Sequence, residues 1–156
     1  MRVLLDGPPS DPRSLPLAKE PEAALLAVYW RLDPRPTARP RYRKLTFGAD
    51  PGQTIGLAVL ADGEPMLVAE SRAPEQAVER LATWAHAVEA ETREFHVGDG
   101  HPEVGQVLTA ALWDRFPTAQ VFVVPEAATT PWSPVTRSRH TDAAILIALR
   151  EPKPLA

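Results

Sequence analysis

The sequence predicts an α/β fold, with a mixed sheet of three antiparallel and two parallel strands flanked by helices. Two observations predict this class. Three apolar segments separated only by short turns lie between residues 45 and 70, which is the pattern of an antiparallel meander. Beyond residue 74, helical patterns alternate with short apolar runs, and crossover helices of this kind bring successive strands into parallel order.

Composition sets the outer limits of this prediction. At 156 residues with 44% apolar content, one domain with a substantial core is expected. The absence of cysteine excludes disulfides, thiolate metal sites and cysteine nucleophiles. No apolar stretch approaches the roughly 18 residues needed to cross a membrane, so the sequence predicts a cytoplasmic protein with no membrane partner.

The chain divides at residue 43. Residues 1–43 form a predicted proline-rich N-terminal arm, because eight of the 18 prolines lie in residues 1–40. One short helix is expected inside the arm, over residues 21–32, where Pro21 suits a first helical turn. Residues 44–156 form the predicted α/β domain.

The elements of that domain follow from periodicity. Alternating or continuous apolar runs predict strands, whereas apolar positions three and four residues apart predict helices. Asp62-Gly63 is the expected turn of the second hairpin. The predicted strands are residues 45–49, 56–61, 65–70, 94–98 and 120–124, and the predicted helices are residues 74–91, 102–116 and 140–150.

Four acidic residues lie beside apolar runs and are the candidate site. Asp50 ends the first strand of the meander, where a buried unpaired carboxylate does not help the core. Three more acids, Asp99, Glu126 and Asp142, lie beside later apolar runs. Carboxylate oxygens from separate strand ends suit Mg²⁺ or Mn²⁺, which promotes phosphodiester hydrolysis. The four acids together therefore suggest a metal-dependent nuclease.

Each acid also has a simpler interpretation. Asp50-Pro51-Gly52 is a common turn sequence, and Asp99 is also explained as a loop residue or as the approach to a helix cap. Glu126 is also explained as a surface loop acid, and Asp142 as a first-turn acid that complements a helix dipole. These interpretations stay open for each residue taken alone.

The motifs resemble those of the ribonuclease H-like nuclease superfamily, and most closely the RuvC-type Holliday junction resolvases and their YqgF relatives. Residues 48–52 followed by 55–59 are similar to the opening strand-turn-strand of RuvC proteins, and Val97-Gly98-Asp99 falls where those proteins place a second acid, usually Glu. Residues 121–130 resemble the YqgF signature, of which Glu126 and a Thr pair survive. Asp142-Ala143-Ala144 is similar to the closing motif of both groups.

This resemblance implies an RNase H-like fold over about residues 44–150, with Asp50, Asp99 and Asp142 as metal ligands and Glu126 as a further catalytic residue. The implied activity is cleavage of branched DNA by a homodimer that makes two symmetric cuts. The alternatives are a YqgF-like nuclease for ribosomal RNA precursors and a catalytically silent nucleic-acid-binding scaffold. The net charge of −3 keeps the scaffold open.

His140 is a further catalytic candidate whose position departs from the RuvC pattern. Many RuvC proteins carry a second acid or a His three residues before the last Asp, and here that position is Arg139. His140 precedes Asp142 by two residues, and side chains two apart on a helix point in different directions. Either the helix begins later than residue 140, or His140 is not a ligand.

Basic and aromatic residues complete the candidates. Arg137 and Arg139 lie just before Asp142, and Arg41, Arg43 and Lys44 end a basic segment that begins at residue 31; both groups are candidate phosphate contacts or solvated surface. Trp84 and Trp113 lie on predicted helices and are expected to pack in the core or between helices. Trp132 is expected to cover the sheet, with stacking on an unpaired base as the alternative.

Overall fold

The structure is a computed structural model that describes residues 42–126 and 138–152, together with two short strands that pair in parallel, β1 (Leu4–Leu5) and β2 (Ser14–Leu15). The helix predicted over residues 21–32 lies outside the described residues. No helix in the described part of the chain is long and apolar enough to cross a membrane.

A five-stranded mixed sheet forms the centre of the domain, as predicted. The strands are β3 (Tyr42–Asp50), β4 (Ile55–Ala61), β5 (Glu64–Ser71), β6 (Ala90–Gly98) and β7 (Gln120–Val124). They lie in the order β5-β4-β3-β6-β7. β3 pairs antiparallel with β4, and β4 with β5, whereas β6 runs parallel to both β3 and β7.

Three helices cover the sheet: α1 (Pro74–Ala87), α2 (Pro102–Arg115) and α3 (Arg139–Leu149). The prediction that the first of them extends to residue 91 is wrong, because Val88 has extended backbone angles and β6 begins at Ala90. Arg93 of β6 reaches back and donates to the carbonyl oxygens of Ala85 at 3.2 Å and Val88 at 3.0 Å. The last turn of α1 is therefore satisfied by a side chain from the next strand, which periodicity does not reveal.

The two faces of the sheet bury different helices. Successive side chains of a strand point to opposite faces of the sheet. Phe47 and Phe95 are paired across β3 and β6 and project toward α1 and α2, where their rings stack with centroids 4.7 Å apart. A smaller cluster on the other face joins β4 to α3 through Ala58, Leu60, Ala144, Ile145 and Ala148. α3 is therefore the one described helix on its face of the sheet.

The predicted hairpin turn at Asp62-Gly63 is confirmed. Both residues have positive φ, 48° and 85°, as a type I′ turn requires. The Asp62 carboxylate also accepts hydrogen bonds from the backbone N–H groups of Arg43 and Lys44, each at 3.0 Å. This turn closes the end of the sheet where β3 begins, opposite the end that carries Asp50.

Candidate functional site

Three of the four candidate acids, Asp50, Asp99 and Glu126, lie at the edge of the sheet where the parallel strands β3, β6 and β7 end. Ala49 is level with Val97, and Gly98 is level with Val124, so the residues that follow each strand emerge side by side. Asp99 holds this edge together, because its N–H donates to the carbonyl of Val124 at 3.1 Å. The parallel register therefore gathers three candidates that are far apart in sequence.

Glu126 folds back over the end of β6. Its backbone N–H donates to Oδ1 of Asp99 at 2.9 Å. Its carboxylate occupies the space beside Gly98 and Gly100, where a Cβ at either position would overlap the carboxylate oxygens. Oε1 is buried and has no hydrogen-bond partner among the described residues. The two glycines therefore create the space that the Glu126 carboxylate fills.

Glycine also seats α3 against the sheet. A Cβ on Gly56 would overlap the carbonyl oxygen of His140, and one on Gly48 would overlap that of Ala144. The helix begins at Arg139, with Ser138 as the N-cap whose side chain accepts from the N–H of His140 at 3.2 Å. These close approaches bring the first turn of α3 next to the end of β3.

His140 consequently lies beside Asp50. Its Nδ1 is 3.7 Å from Oδ2 of Asp50, a distance in the range of an ion pair and too long for a hydrogen bond. The helix begins one residue earlier than predicted rather than later, so the first explanation for the His140 spacing does not hold. Asp142 is buried, with 2% exposure, and its N–H donates to the Ser138 carbonyl at 3.0 Å.

The carboxyl group of Asp50 has a raised pKa. Burial is the main cause, and the negative charge of Glu126 adds to it, so that the pKa rises from 3.8 to about 6. His140 and Arg139 act in the opposite direction by favouring the carboxylate. Asp50, Glu126 and His140 thus form an electrostatically coupled cluster, called here the Asp50 cluster.

The Asp50 cluster lies on the α3 face of the sheet. His96 on β6 contacts the carbonyl of Ile147 in α3 at 3.2 Å, so Gly98, two residues further, faces the same way. Asp99 instead lines a pocket together with residues of α2. Across residues 42–126 and 138–152, no three His, Asp or Glu side chains are grouped as a preformed metal site. Metal binding by Asp50, Asp99 and Asp142 stays a prediction.

The candidate phosphate contacts are divided between the two ends of the sheet. Arg139 is exposed and close enough to Asp50 to lower its pKa. Arg43 and Lys44 lie at the start of β3, about 20 Å from Asp50 at about 3.3 Å per strand residue. Nζ of Lys44 is 3.4 Å from Oε2 of Glu94. Arg41 and Arg137 lie outside the described residues.

The sequence did not reveal that Gly98 and Gly100 make room for Glu126, nor that Trp113 is exposed. Gly98 and Gly100 belong to a glycine-aspartate turn that the sequence marks, but their role in making room for Glu126 depends on a residue two elements later. Trp84 is fully buried as expected. For Trp113, expected in the core or between helices, the core position is wrong, since its side chain is 58% exposed. Trp132 lies outside the described residues.

Neither a scan of protein-family models nor a search of curated proteins gives a match for this chain. A functional conclusion therefore depends on the residues themselves, and in particular on the Asp50 cluster. The chemistry of that cluster is that of two neighbouring carboxylates with an imidazole beside them.

Proposed function

We propose that this protein is a divalent-cation-dependent nuclease in which Asp50 and Glu126 hold the cation. The observation that carries the proposal is the coupling of these two carboxylates at the carboxyl edge of the sheet. Two negative groups brought together in a partly buried place destabilise each other unless a positive charge joins them. The pKa of Asp50 is raised first by burial and then by the charge of Glu126, so both costs contribute to it.

The donor set fits Mg²⁺ or Mn²⁺. Both carboxylates supply hard oxygen ligands, which these cations prefer over nitrogen or sulfur. Oε1 of Glu126 is buried without a hydrogen-bond partner among the described residues, and an unsatisfied buried carboxylate oxygen is costly. A cation beside Asp50 would satisfy this oxygen and neutralise the pair.

A bound cation would supply the charge that phosphodiester hydrolysis needs, by stabilising the negative charge that develops on the phosphate and the departing oxygen. The chain's own residues would do the rest. His140, 3.7 Å from Asp50, is placed to hold or accept a proton beside the reacting phosphate. Arg139 is placed to attract the phosphate through its positive charge.

Asp99 takes a different part in this proposal from the one that the sequence predicts. Its Oδ1 accepts the N–H of Glu126, so this oxygen fixes the segment that carries Glu126. Among the described residues its other oxygen has no hydrogen-bond partner, and a ligand role is proposed for it. Asp142 is buried in the first turn of α3, at the end of the helix where the dipole favours an acidic residue.

The choice of phosphodiester as the substrate rests on the resemblance to RuvC-type resolvases and their YqgF relatives. The observed order of an antiparallel meander, two parallel strands and an acid at the end of the first sheet strand supports that resemblance. Branched DNA is the first substrate that the resemblance implies. Structured RNA is the alternative substrate. Contact with the 2′-hydroxyl of the sugar is the feature that would separate the two.

The test is cleavage of a labelled panel: a four-way DNA junction, linear duplex DNA, single-stranded DNA and structured RNA. Each substrate is incubated with Mg²⁺, Mn²⁺ or a chelator. Wild-type protein is compared with Asp50→Asn and Glu126→Gln, and with Glu91→Gln as a control, because Glu91 is exposed at the opposite end of β6.

We expect metal-dependent cleavage that falls roughly 100-fold or more in both site variants, since losing the cation forfeits several kcal/mol of transition-state stabilisation. The control variant should keep wild-type activity. Cleavage of RNA alone would move the substrate to the alternative class. If no substrate is cut and no cation changes the stability of the wild type, the nuclease proposal is wrong.

A further inference from the structure

A mostly apolar pocket of about 390 Å³ lies between α2 and the edge of the sheet formed by β6 and β7. This volume is within the roughly 300–1,000 Å³ range of small-ligand sites. Two of its lining side chains, Trp113 and Val123, are each 58% exposed and belong to the small set of large apolar side chains that the described residues leave in solvent. The pocket therefore exposes apolar surface that the fold itself does not cover.

A single buried hydroxyl gives this pocket a polar point. Thr109 lines the pocket, is only 6% exposed, and its Oγ1 has no hydrogen-bond partner among the described residues. Leaving a buried hydroxyl unsatisfied is unfavourable, and such an exception requires an explanation. A ligand that enters the pocket with a hydrogen-bonding edge would supply the missing partner.

The pocket is adjacent to the candidate site. Val97, Gly98 and Asp99 form one of its walls. The pocket lies on the α2 face of the sheet at the end of β6, and Glu126 lies on the α3 face at the same strand end. The carboxylate of Asp99 at its border disfavours an anionic group inside. The occupant is therefore expected to be uncharged and to belong to a molecule that also reaches the Asp50 cluster.

We propose that this pocket binds one unpaired nucleobase of the substrate, stacked on Trp113 and hydrogen-bonded to the hydroxyl of Thr109. The inference rests on the proposed nuclease function and adds a base-binding subsite to it. A nucleobase is planar and uncharged, with apolar faces and a polar edge. These features match a mostly apolar pocket whose polar lining consists of the Thr109 hydroxyl, the Gln106 amide and, at the border, the Asp99 carboxylate. The phosphates of the same strand stay outside, toward the Asp50 cluster and Arg139.

The test compares a labelled ten-residue single-stranded oligonucleotide with an abasic chain that carries the same phosphates. Binding is measured by fluorescence anisotropy in the presence of Ca²⁺, a hard cation that takes oxygen ligands. The proteins are wild type, Trp113→Ala, Trp113→Phe and Thr109→Val. Val107→Ala is the matched control, since Val107 is 50% exposed on the same helix and does not line the pocket.

We expect the wild type to bind the intact oligonucleotide about 5- to 150-fold more tightly than the abasic chain, the range that stacking of one base supplies. Trp113→Ala should abolish this preference, whereas Trp113→Phe should keep most of it and Val107→Ala all of it. Thr109→Val should lower the affinity for the intact chain several-fold while it leaves the free protein folded and no less stable, because it removes an unsatisfied hydroxyl.

Equal binding of the two oligonucleotides by the wild type would overturn the inference, as would a preference that survives Trp113→Ala. If cleavage still depends on Asp50 in that case, the nuclease proposal stands and only the base pocket is lost. If the wild type neither cuts nor binds any nucleic acid, both fail. A wild-type dimer that Trp113→Ala converts to a monomer in sedimentation, with no preference for the base, would assign the pocket to contact with a second copy and overturn the inference.

Discussion

Replacing Asp50 by asparagine should make this protein more stable at neutral pH when no divalent cation is present. The side chain is 16% exposed, and burial together with the charge of Glu126 raises its pKa from 3.8 to about 6. Asparagine has nearly the same shape and no charge. The substitution therefore removes the desolvation penalty and the repulsion without creating a cavity in β3.

The magnitude follows from the pKa. At about 1.4 kcal/mol for each tenfold change in proton affinity, a pKa that moves from 3.8 to about 6 corresponds to roughly 3 kcal/mol. Asp50 keeps some contact with solvent, and the variant loses the favourable charge of His140. We therefore expect the free energy of unfolding to rise by about 1–2 kcal/mol in the variant.

The dependence on pH fixes the sign. The folded state binds a proton on Asp50 more tightly than the unfolded chain does, so Asp50 lowers the stability of the wild type progressively as the pH rises from about 4 to about 6. The gain in the free energy of unfolding from Asp50→Asn should thus be small at about pH 4 and should reach its full value above about pH 6. Both proteins share the other titrating groups, so their difference reports on Asp50.

Urea unfolding from acidic to neutral pH, in a chelator and then in Mg²⁺, measures both effects. Mg²⁺ should stabilise the wild type, by about 2.7 kcal/mol at a concentration 100-fold above the dissociation constant, and should leave Asp50→Asn nearly unchanged. Glu91→Gln controls for the loss of one exposed charge. A variant that is less stable than the wild type at neutral pH would refute the reasoning about the buried carboxylate.

Three further substitutions test packing beside the cluster (Gly56) and away from it (Gly63 and Phe95), with unfolding by urea and titration with Mg²⁺ as the measurements. Gly56→Ala places a methyl group against the His140 carbonyl, so stability should fall by about 1–3 kcal/mol and the Mg²⁺ response should weaken as His140 moves from Asp50; an unchanged response would contradict this. Gly63→Ala, at φ 85°, should cost about 1 kcal/mol through backbone strain and leave the Mg²⁺ response intact. Phe95→Ala should lower stability by about 3–5 kcal/mol, because its ring is buried against two other aromatic rings; a loss below 1 kcal/mol would show that this stack contributes little.

The sheet was predictable because its signals are local. Alternating apolar residues and the Asp62-Gly63 turn specify the meander, and these signals lie within a few residues of each other. The turns at residues 50–52 and 98–100 mark where β3 and β6 end. The end of α1 was not predictable from the same signals. Val88 continues the helical apolar spacing, and the donor that closes the helix is Arg93, which reaches the last turn only after β6 has formed.

The candidate site shows the same division. Local patterns are enough to place Asp50, Asp99 and Glu126 after apolar strands, and parallel pairing then brings those strand ends to one edge. Which of the acids interact depends on packing between distant segments. Glu126 reaches the end of β6 because Gly98 and Gly100 leave space for it, and His140 reaches Asp50 because Gly56 lets α3 approach the sheet. The face of the sheet to which a side chain points depends on strand register and on how the helices pack, and contacts between segments distant in sequence set both. Local patterns therefore locate the acidic residues along the chain but do not show which of them interact.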